Sequence, residues 1–167
     1  MASPSDGFLI GSLLGIPLDA LAKRVEAAYA AAGFTDLRPA HSPVFRFLAP
    51  GGERVADLAR RAGATKQAMG YLVDYLVGRG YLERSPDPTD GRAQLVRRTA
   101  RGWAVNRTAR DVVAQVQAEW TETLGEERMR TLLAALRDLV VALGVDYPGS
   151  VSEVSARPNT DAAMVSG

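Results

Sequence analysis

The chain has no cysteine and a single histidine, His41, among its 167 residues. Without thiols it cannot form a disulfide, a thiolate metal site or a thiol redox switch. One imidazole also leaves zinc clusters and a histidine-based catalytic triad with too few groups. No nucleophile with a base and no glycine-rich phosphate loop can be recognised, because GRGYLER ends a helix and follows no strand. The sequence therefore predicts no enzyme, no catalytic or metal site and no cofactor.

Long hydrophobic runs are missing as well. The apolar stretch Phe8–Leu14 has no Lys or Arg before it. It is also far shorter than the ~20 residues that a membrane span requires. We therefore expect a cytoplasmic protein without a membrane partner.

The chain has little net charge, only +1, because 20 basic residues are balanced by 19 acidic ones, but the two signs are unevenly distributed. The segment Arg54–Arg107 holds 11 basic and 5 acidic residues, whereas the rest of the chain holds 9 basic and 14 acidic ones. Such a local surplus is typical of a surface that binds nucleic-acid phosphates. The alternative is an arginine-rich surface that only solvates helices.

The first third of the chain is predicted to be helical after a loose start. Residues 1–15 are expected to form an N-terminal arm with an apolar turn. Pro17 then fits the first turn of a helix that continues to about Ala32, because apolar residues recur there at spacings of three and four. Gly33 offers a left-handed stop, and Pro39–Leu48 is predicted to be a second helix.

Two short helices joined by a tight turn follow. One surrounds Val55–Ala62 and ends at Gly63. The next is predicted over Lys66–Arg79, with Thr65 as its N-cap. Helices joined this closely must cross at a steep angle, which is the arrangement of a helix-turn-helix.

The second of these helices has two faces. Its core candidates share an apolar side chain: Ala68, Met69, Leu72, Val73 and Leu76. The outward set is polar, aromatic or small: Lys66, Gln67, Gly70, Tyr71, Asp74, Tyr75 and Gly78. Such a face suits a DNA major groove, where Lys and Gln reach base edges and glycine permits close approach. A merely solvated face would explain Lys66 and Gln67 equally well, but it explains two exposed tyrosines less easily.

A β-wing is predicted after this helix. Tyr81–Ser85 alternates as a strand, Ser85–Gly91 is dense in turn-forming residues, and Ala93–Arg98 returns as a second strand. Leu95 is expected to face the core, with Arg97 and Arg98 near the opposite surface. The predicted fold class is thus mainly α with a small two- to three-stranded β-wing, a winged helix-turn-helix.

Two long helices complete the predicted architecture. One is capped by Thr99 and reaches about Leu124, and the other runs over Glu126–Leu143. Their apolar faces exceed the needs of a small winged-helix core and call for a second subunit. We therefore assign the parts of the chain as follows: arm 1–15, dimerisation helices 16–38 and 100–145, DNA-binding lobe 39–99, and disordered tail 146–167.

From Leu18 to Leu143 the chain resembles the MarR family of bacterial transcription regulators. The specific parts are LVDYLVGRGYLER at 72–84, DPTDGR at 87–92 and LVRRTARG at 95–102. The resemblance implies a homodimer that binds a pseudo-palindromic double-stranded DNA operator as a repressor. It also implies that Arg92 enters a minor groove while Asp90 orients it, although an Asp and an Arg two apart occur by chance in many loops.

A homodimeric repressor of this kind would use further residues. Base contacts are expected from Lys66, Gln67, Gly70 and Tyr71, and phosphate contacts from Thr65, Arg54 and Arg84. Relatives often carry Arg or Lys where Tyr71 and Tyr75 stand, so the operator sequence cannot be deduced from these residues.

Family members commonly release DNA when a small aromatic or phenolic compound enters a cleft between the dimerisation helices and the DNA-binding lobe. In this chain His41, Arg46 and Trp103 lie in segments that could line such a cleft, although a lone His and a Trp are more often packing residues. Two other functions stay open on the sequence alone. They are a winged helix used for protein contacts and a nonspecific architectural DNA binder.

Overall fold

A computed structural model describes residues 9–145 of the chain. Its elements in chain order are helix α1 (Ile10–Ala31), a 3-10 turn (Pro39–His41), α2 (Ser42–Phe47), α3 (Val55–Arg61), α4 (Lys66–Gly78), strands β1 (Leu82–Asp87) and β2 (Asp90–Arg98), α5 (Ala100–Leu124) and α6 (Glu126–Ala142). The predicted tail at 146–167 and the first eight residues of the predicted arm lie outside the described residues. Between residues 9 and 145, no helix combines the length and the apolar character that crossing a membrane demands.

Helix α1 begins earlier than predicted. The sequence favours a start at Pro17, but the helix begins at Ile10 and contains Pro17 in its interior. Proline removes the N–H that would bond to the carbonyl of Leu13. Leu13 is 55% exposed, so the missing hydrogen bond lies on an exposed part of the helix and not in the core. The predicted arm at 1–15 is therefore wrong for residues 10–15, which extend the helix.

The helix-turn-helix is confirmed. Gly63 ends the turn after α3 with φ of 66°, a left-handed conformation that glycine adopts without steric cost. The Thr65 side chain then accepts a hydrogen bond of 3.1 Å from the backbone N–H of Ala68, as expected of an N-cap. These two local signals place α3 and α4 within a few residues of each other.

The wing is a two-stranded antiparallel hairpin that Glu53 extends at one point. Glu53 and Val96 exchange two backbone hydrogen bonds of 3.1 and 2.8 Å. The predicted orientation of β2 is wrong, since Val96 and Arg98 are buried while Leu95 is only half-buried. Side chains alternate along a strand, so an error of one residue reverses the faces.

One compact core lies beneath the helix-turn-helix and the wing. Its fully buried side chains come from α2, α3, α4, β2, α5 and the residue before β1: Val44, Leu58, Met69, Val73, Leu76, Tyr81, Val96 and Val105. Arg98 reaches into this core and donates to the carbonyls of Phe45 and Leu48 at 2.7 and 2.8 Å. Its charge satisfies the end of α2, where helix carbonyls have no partners of their own.

Helices α5 and α6 have the predicted bounds to within one residue. Thr99 caps α5 by accepting a hydrogen bond of 3.1 Å from the N–H of Gly102. Helix α1 packs against α5, where Arg24 and Glu119 form an ion pair of 2.6 Å. None of the residues of α1 is buried, so this helix covers α5 without being covered itself.

Candidate nucleic-acid interface

Helix α4 presents a sharply divided surface. Met69, Val73 and Leu76 are fully buried, which anchors one side of the helix in the core. The opposite side exposes Lys66 and Gln67, together with Tyr71, whose exposed fraction is 68%. The amide of Gln67 donates to the Tyr71 hydroxyl at 3.3 Å, so a hydrogen-bonding group and an aromatic ring stand side by side.

Gly70 lies on the same helix between these residues. Apart from its chain neighbours and the backbone of α4 itself, a Cβ built at this position would meet no atom within 4 Å. Packing inside the protomer therefore gives no reason for a glycine there, and the cost of glycine in a helix interior is about 1 kcal/mol. The missing side chain leaves the backbone of α4 open to close approach from outside.

Two residues of α4 lie on the face opposite to the predicted one. Ala68, assigned to the core, is exposed. Tyr75, assigned to the outside, packs against the core. Its hydroxyl donates to the carbonyl of Asp36 at 2.8 Å, and its ring stacks on His41 at 4.7 Å. The segment between α1 and α2 covers the C-terminal half of α4, which local periodicity cannot reveal.

The phosphate candidates differ in their surroundings. Thr65 is exposed and uses its oxygen as the N-cap of α4. Arg84 forms one ion pair of 2.6 Å with Asp74, which is itself 66% exposed. Arg54 contacts Asp87 at 2.6 Å and Asp90 at 3.3 Å. A single exposed ion pair contributes little free energy, so Arg84 can leave Asp74 and contact a phosphate instead.

The tip of the wing carries Asp90 and Arg92. Asp90 Oδ1 accepts a hydrogen bond of 3.1 Å from the backbone N–H of Arg92, so it orients the backbone of Arg92 and not its guanidinium. The Arg92 side chain is exposed, and no carboxylate within residues 9–145 forms an ion pair with it. Its charge is therefore available to a partner.

Asp87 anchors the base of this tip. Thr89 donates to Asp87 Oδ1 from its hydroxyl at 2.7 Å and from its backbone N–H at 2.8 Å. These bonds and the Arg54 guanidinium lower the pKa of Asp87 to about 2. The carboxylate is thus charged throughout the physiological pH range.

The three ligand candidates occupy different environments. His41 is buried, which lowers its pKa, and its Nδ1 accepts a hydrogen bond of 3.0 Å from the N–H of Arg38. Trp103 is half-buried with the Arg98 guanidinium 5.0 Å from its ring centre. Arg46 is exposed. Two surface cavities of the described chain, at α5–α6 and beside α3, have linings that include none of these three residues.

A polar cluster around Asp36 is absent from the sequence predictions. The Tyr81 hydroxyl donates to the Asp36 carboxylate, which lowers the pKa of Asp36. Arg101 donates to the Tyr81 hydroxyl at 3.0 Å and lies 4.2 Å from the ring centre. This cluster joins the end of α1 to β1 and α5. Its members are far apart in sequence and share no motif, so no sequence signal points to it.

Among residues 9–145, no group of three or more His, Cys, Asp and Glu side chains could hold a metal ion. The geometry instead provides a helix with an exposed polar and aromatic face, flanked by a wing with an available arginine. Such a surface can contact the groove of a nucleic acid.

Comparison with known proteins agrees with this geometry. Residues 35–93, which span the helix-turn-helix and most of the wing, match the sequence model of the MarR family. No curated protein matches the chain.

Three solved structures have the same architecture. A MarR family protein of Mycobacterium tuberculosis in complex with salicylic acid is 29% identical, with 81% of this chain and 98% of that chain covered and a TM-score of 0.58. The apo form of MarR from E. coli is 22% identical, with 80% and 98% covered and a TM-score of 0.58. CouR from Rhodococcus jostii RHA1, bound to p-coumaroyl-CoA, is 23% identical, with 83% and 95% covered and a TM-score of 0.59.

The predicted resemblance is thus confirmed. The segment 35–93 is similar in sequence to the MarR family, and the chain has the fold of the MarR family transcriptional regulators.

Proposed function

We propose that this protein is a homodimeric repressor that binds a pseudo-palindromic operator in double-stranded DNA. The observation that carries the proposal is the divided surface of α4. Three of its side chains are fully buried, and this fixes the orientation of the exposed set, Lys66, Gln67 and Tyr71. A helix held this way can enter a major groove without rearranging the core.

Each exposed group has a suitable partner on DNA. Lys66 and Gln67 donate to base edges, and the ring of Tyr71 offers an apolar surface to a thymine methyl. Gly70 lets the helix backbone approach closely. Thr65 and Arg84 contact phosphates, and Arg92 enters the minor groove. Binding through several such cations weakens steeply as the salt concentration rises.

The dimer is supported by apolar side chains that one protomer leaves uncovered. They lie on α1 and α6 or at the caps of these helices and include Leu9, Ile10, Leu13, Leu14, Ile16, Leu18, Leu139, Val140, Val141 and Leu143, all between 42% and 80% exposed. So many exposed apolar side chains on two helices exceed the scattered ones that monomers usually show. A second copy related by a two-fold axis would cover both helices and set two α4 helices about one turn of DNA apart.

We further propose that a small aromatic compound releases the DNA. The M. tuberculosis relative was solved with salicylic acid, and His41, Arg46 and Trp103 are our candidates for contacts with such a compound. The Asp36 cluster lies where α1 meets the DNA-binding lobe. In the proposed dimer, the two DNA-binding lobes, one from each protomer, can stand at different distances from each other. A compound that binds more tightly at one of these distances would shift the population toward it.

The first test is a selection of duplexes from random-sequence DNA by the wild-type protein. Recovery of a common palindromic sequence supports the proposal. Capture without any sequence preference would indicate an architectural DNA binder, and no capture would favour a protein-interaction module.

On the selected duplex, Arg92→Ala should weaken binding about 5- to 150-fold, the equivalent of 1–3 kcal/mol for a specific contact. The matched control is Arg107→Ala, which removes an exposed arginine on α5. Thermal unfolding should be the same for both variants. Unchanged affinity of Arg92→Ala would contradict the wing contact.

Release of DNA by a small aromatic compound is tested by titrating the complex with salicylate while Trp fluorescence and DNA binding are followed together. If fluorescence and DNA binding change independently of each other, the proposed release is contradicted.

A further inference from the structure

Arg54 stands where α3 begins but does not cap that helix. It occupies the N-cap position, and its side chain makes no capping hydrogen bond. Ser, Thr, Asp and Asn are the residues preferred at that position. The Arg54 side chain instead interacts with the wing, where it contacts Asp87 and Asp90.

The Arg54 guanidinium joins two wing carboxylates. Its Nε donates to Asp87 Oδ2 at 2.8 Å, and its Nη2 lies 2.6 Å from the same oxygen. The same Nη2 donates to Asp90 Oδ2 at 3.3 Å. The side chain of Asp87 is only 6% exposed, so this arrangement includes a buried charge and is not a loose surface pair.

The carboxylates that Arg54 joins also shape the tip of the wing. In the hairpin register Pro86 pairs with Gln94, whereas Asp87 pairs with Asp90. Residues 91–93 thus have no partner in the register and form a bulge, a feature that redirects a side chain. Asp90 closes this bulge by accepting from the N–H of Arg92, while Asp87 closes the turn by accepting from Thr89.

We propose that Arg54 is a positioning residue for DNA binding, which acts through Asp87 and Asp90 to aim Arg92, and is not itself a phosphate ligand. The fixed planar fork of a guanidinium suits this role, since it can bond to two carboxylates at once. This inference rests on the proposed function, because it needs Arg92 to contact DNA. It replaces the phosphate contact that the sequence suggests for Arg54.

The two roles predict opposite effects for Asp87→Asn. If Arg54 binds phosphate, removing the Asp87 charge frees the guanidinium and removes a repulsive charge, so DNA binding should tighten or stay the same. If Arg54 aims Arg92, the same substitution loosens the tip and weakens binding. Asparagine keeps the shape of the side chain and can still accept from Thr89, so the wing should fold.

The experiment measures affinity for the selected duplex in a double-mutant cycle. Asp87→Asn should weaken binding roughly fivefold in the wild-type background, a typical coupling between neighbouring residues. In the Arg92→Ala background it should have no further effect. The matched control is Asp111→Asn, which removes the same charge from an exposed position on α5.

Tighter or unchanged binding by Asp87→Asn would overturn the inference while leaving the wing contact of Arg92 intact. Equal weakening in both backgrounds would also overturn it, since a general structural defect does not need Arg92. If Arg92→Ala alone has no effect, the wing contact in the proposed function fails, and the positioning role fails with it.

A measurement without DNA separates these failures further. In Arg54→Lys, the charge is kept but the fork is lost, so amide hydrogen exchange at Thr89 and Arg92 should accelerate about threefold or more in the free protein. The control Arg60→Lys changes an exposed arginine of the same helix and should leave both amides unchanged. Unaltered exchange in Arg54→Lys would show that Arg54 does not hold the tip.

Discussion

The winged helix-turn-helix lobe at residues 39–99 and the two helices α1 and α6 bury their apolar residues to very different extents. In the lobe, Leu58, Val73 and Leu76 are completely buried. In contrast, α1 has no buried residue and α6 has one, Met129. The lobe therefore has a core of its own, whereas the helical framework of α1 and α6 leaves apolar surface exposed.

This difference separates two sources of stability. The lobe should resist unfolding as long as its own contacts are intact. The framework should depend on protein concentration, because stability that comes from a partner follows mass action. The exposed surface of α4 belongs to the lobe, so the substitutions below should affect it separately from the framework.

The largest expected effect comes from breaking the core of the lobe. Leu76→Ala should lower the free energy of unfolding by about 2–5 kcal/mol, because a fully buried leucine leaves a cavity. Urea denaturation at constant protein concentration measures it. The matched control is Leu139→Ala on α6, where the side chain is 50% exposed and the lobe should be unaffected. Equal losses in both variants would contradict the separation of the two regions.

A smaller effect on the lobe, but a clear one on assembly, is expected from Leu13→Glu. Leu13 is 55% exposed on α1, and burying a leucine contributes roughly 1.5–3 kcal/mol. The dimer dissociation constant should rise by about tenfold or more, as measured by sedimentation, with an unchanged helical content. Ser12→Glu adds the same charge at an exposed polar neighbour and serves as control. A dimer that tolerates Leu13→Glu would place the interface elsewhere.

The smallest expected effect is a pH dependence of stability that comes from His41, in the segment between α1 and α2. Because burial lowers the pKa of His41 from 6.5, the unfolded chain binds a proton more readily than the folded one. Stability should therefore fall as the pH drops below 6.5, by at most about 1.4 kcal/mol per pH unit. His41→Asn removes the only histidine of the chain, so its curve should lack this slope between pH 6.5 and the lowered pKa. Parallel curves for the two proteins would contradict the burial of His41.

Much of the fold could be predicted because its signals are local. The N-caps Thr65 and Thr99 both accept the expected hydrogen bonds, and glycine ends the turn between α3 and α4. The faces of β2 could not be predicted with the same success, because an arginine in a strand suggests a surface position. Arg98 is buried instead, since the carbonyls at the end of α2 need donors.

The candidate site divides in the same way. The exposed set Lys66, Gln67 and Tyr71 follows from helical periodicity. The environment of Tyr75 does not, because Asp36 and His41 cover it from a segment more than thirty residues earlier in the chain. Periodicity specifies which residues share a face of a helix, but it does not specify which part of that face a distant segment of the chain buries.

The sequence alone thus determined the order of elements, the caps and turns, and the similarity of the winged helix-turn-helix to the MarR family. Those features depend on interactions between residues a few positions apart. Only the tertiary structure decided that Arg54 lies against Asp87, 33 residues later, and that Tyr75 contacts Asp36 and His41 in the segment that follows α1. Such contacts form where distant segments are brought together by burial of a shared core, and no local pattern encodes that closure.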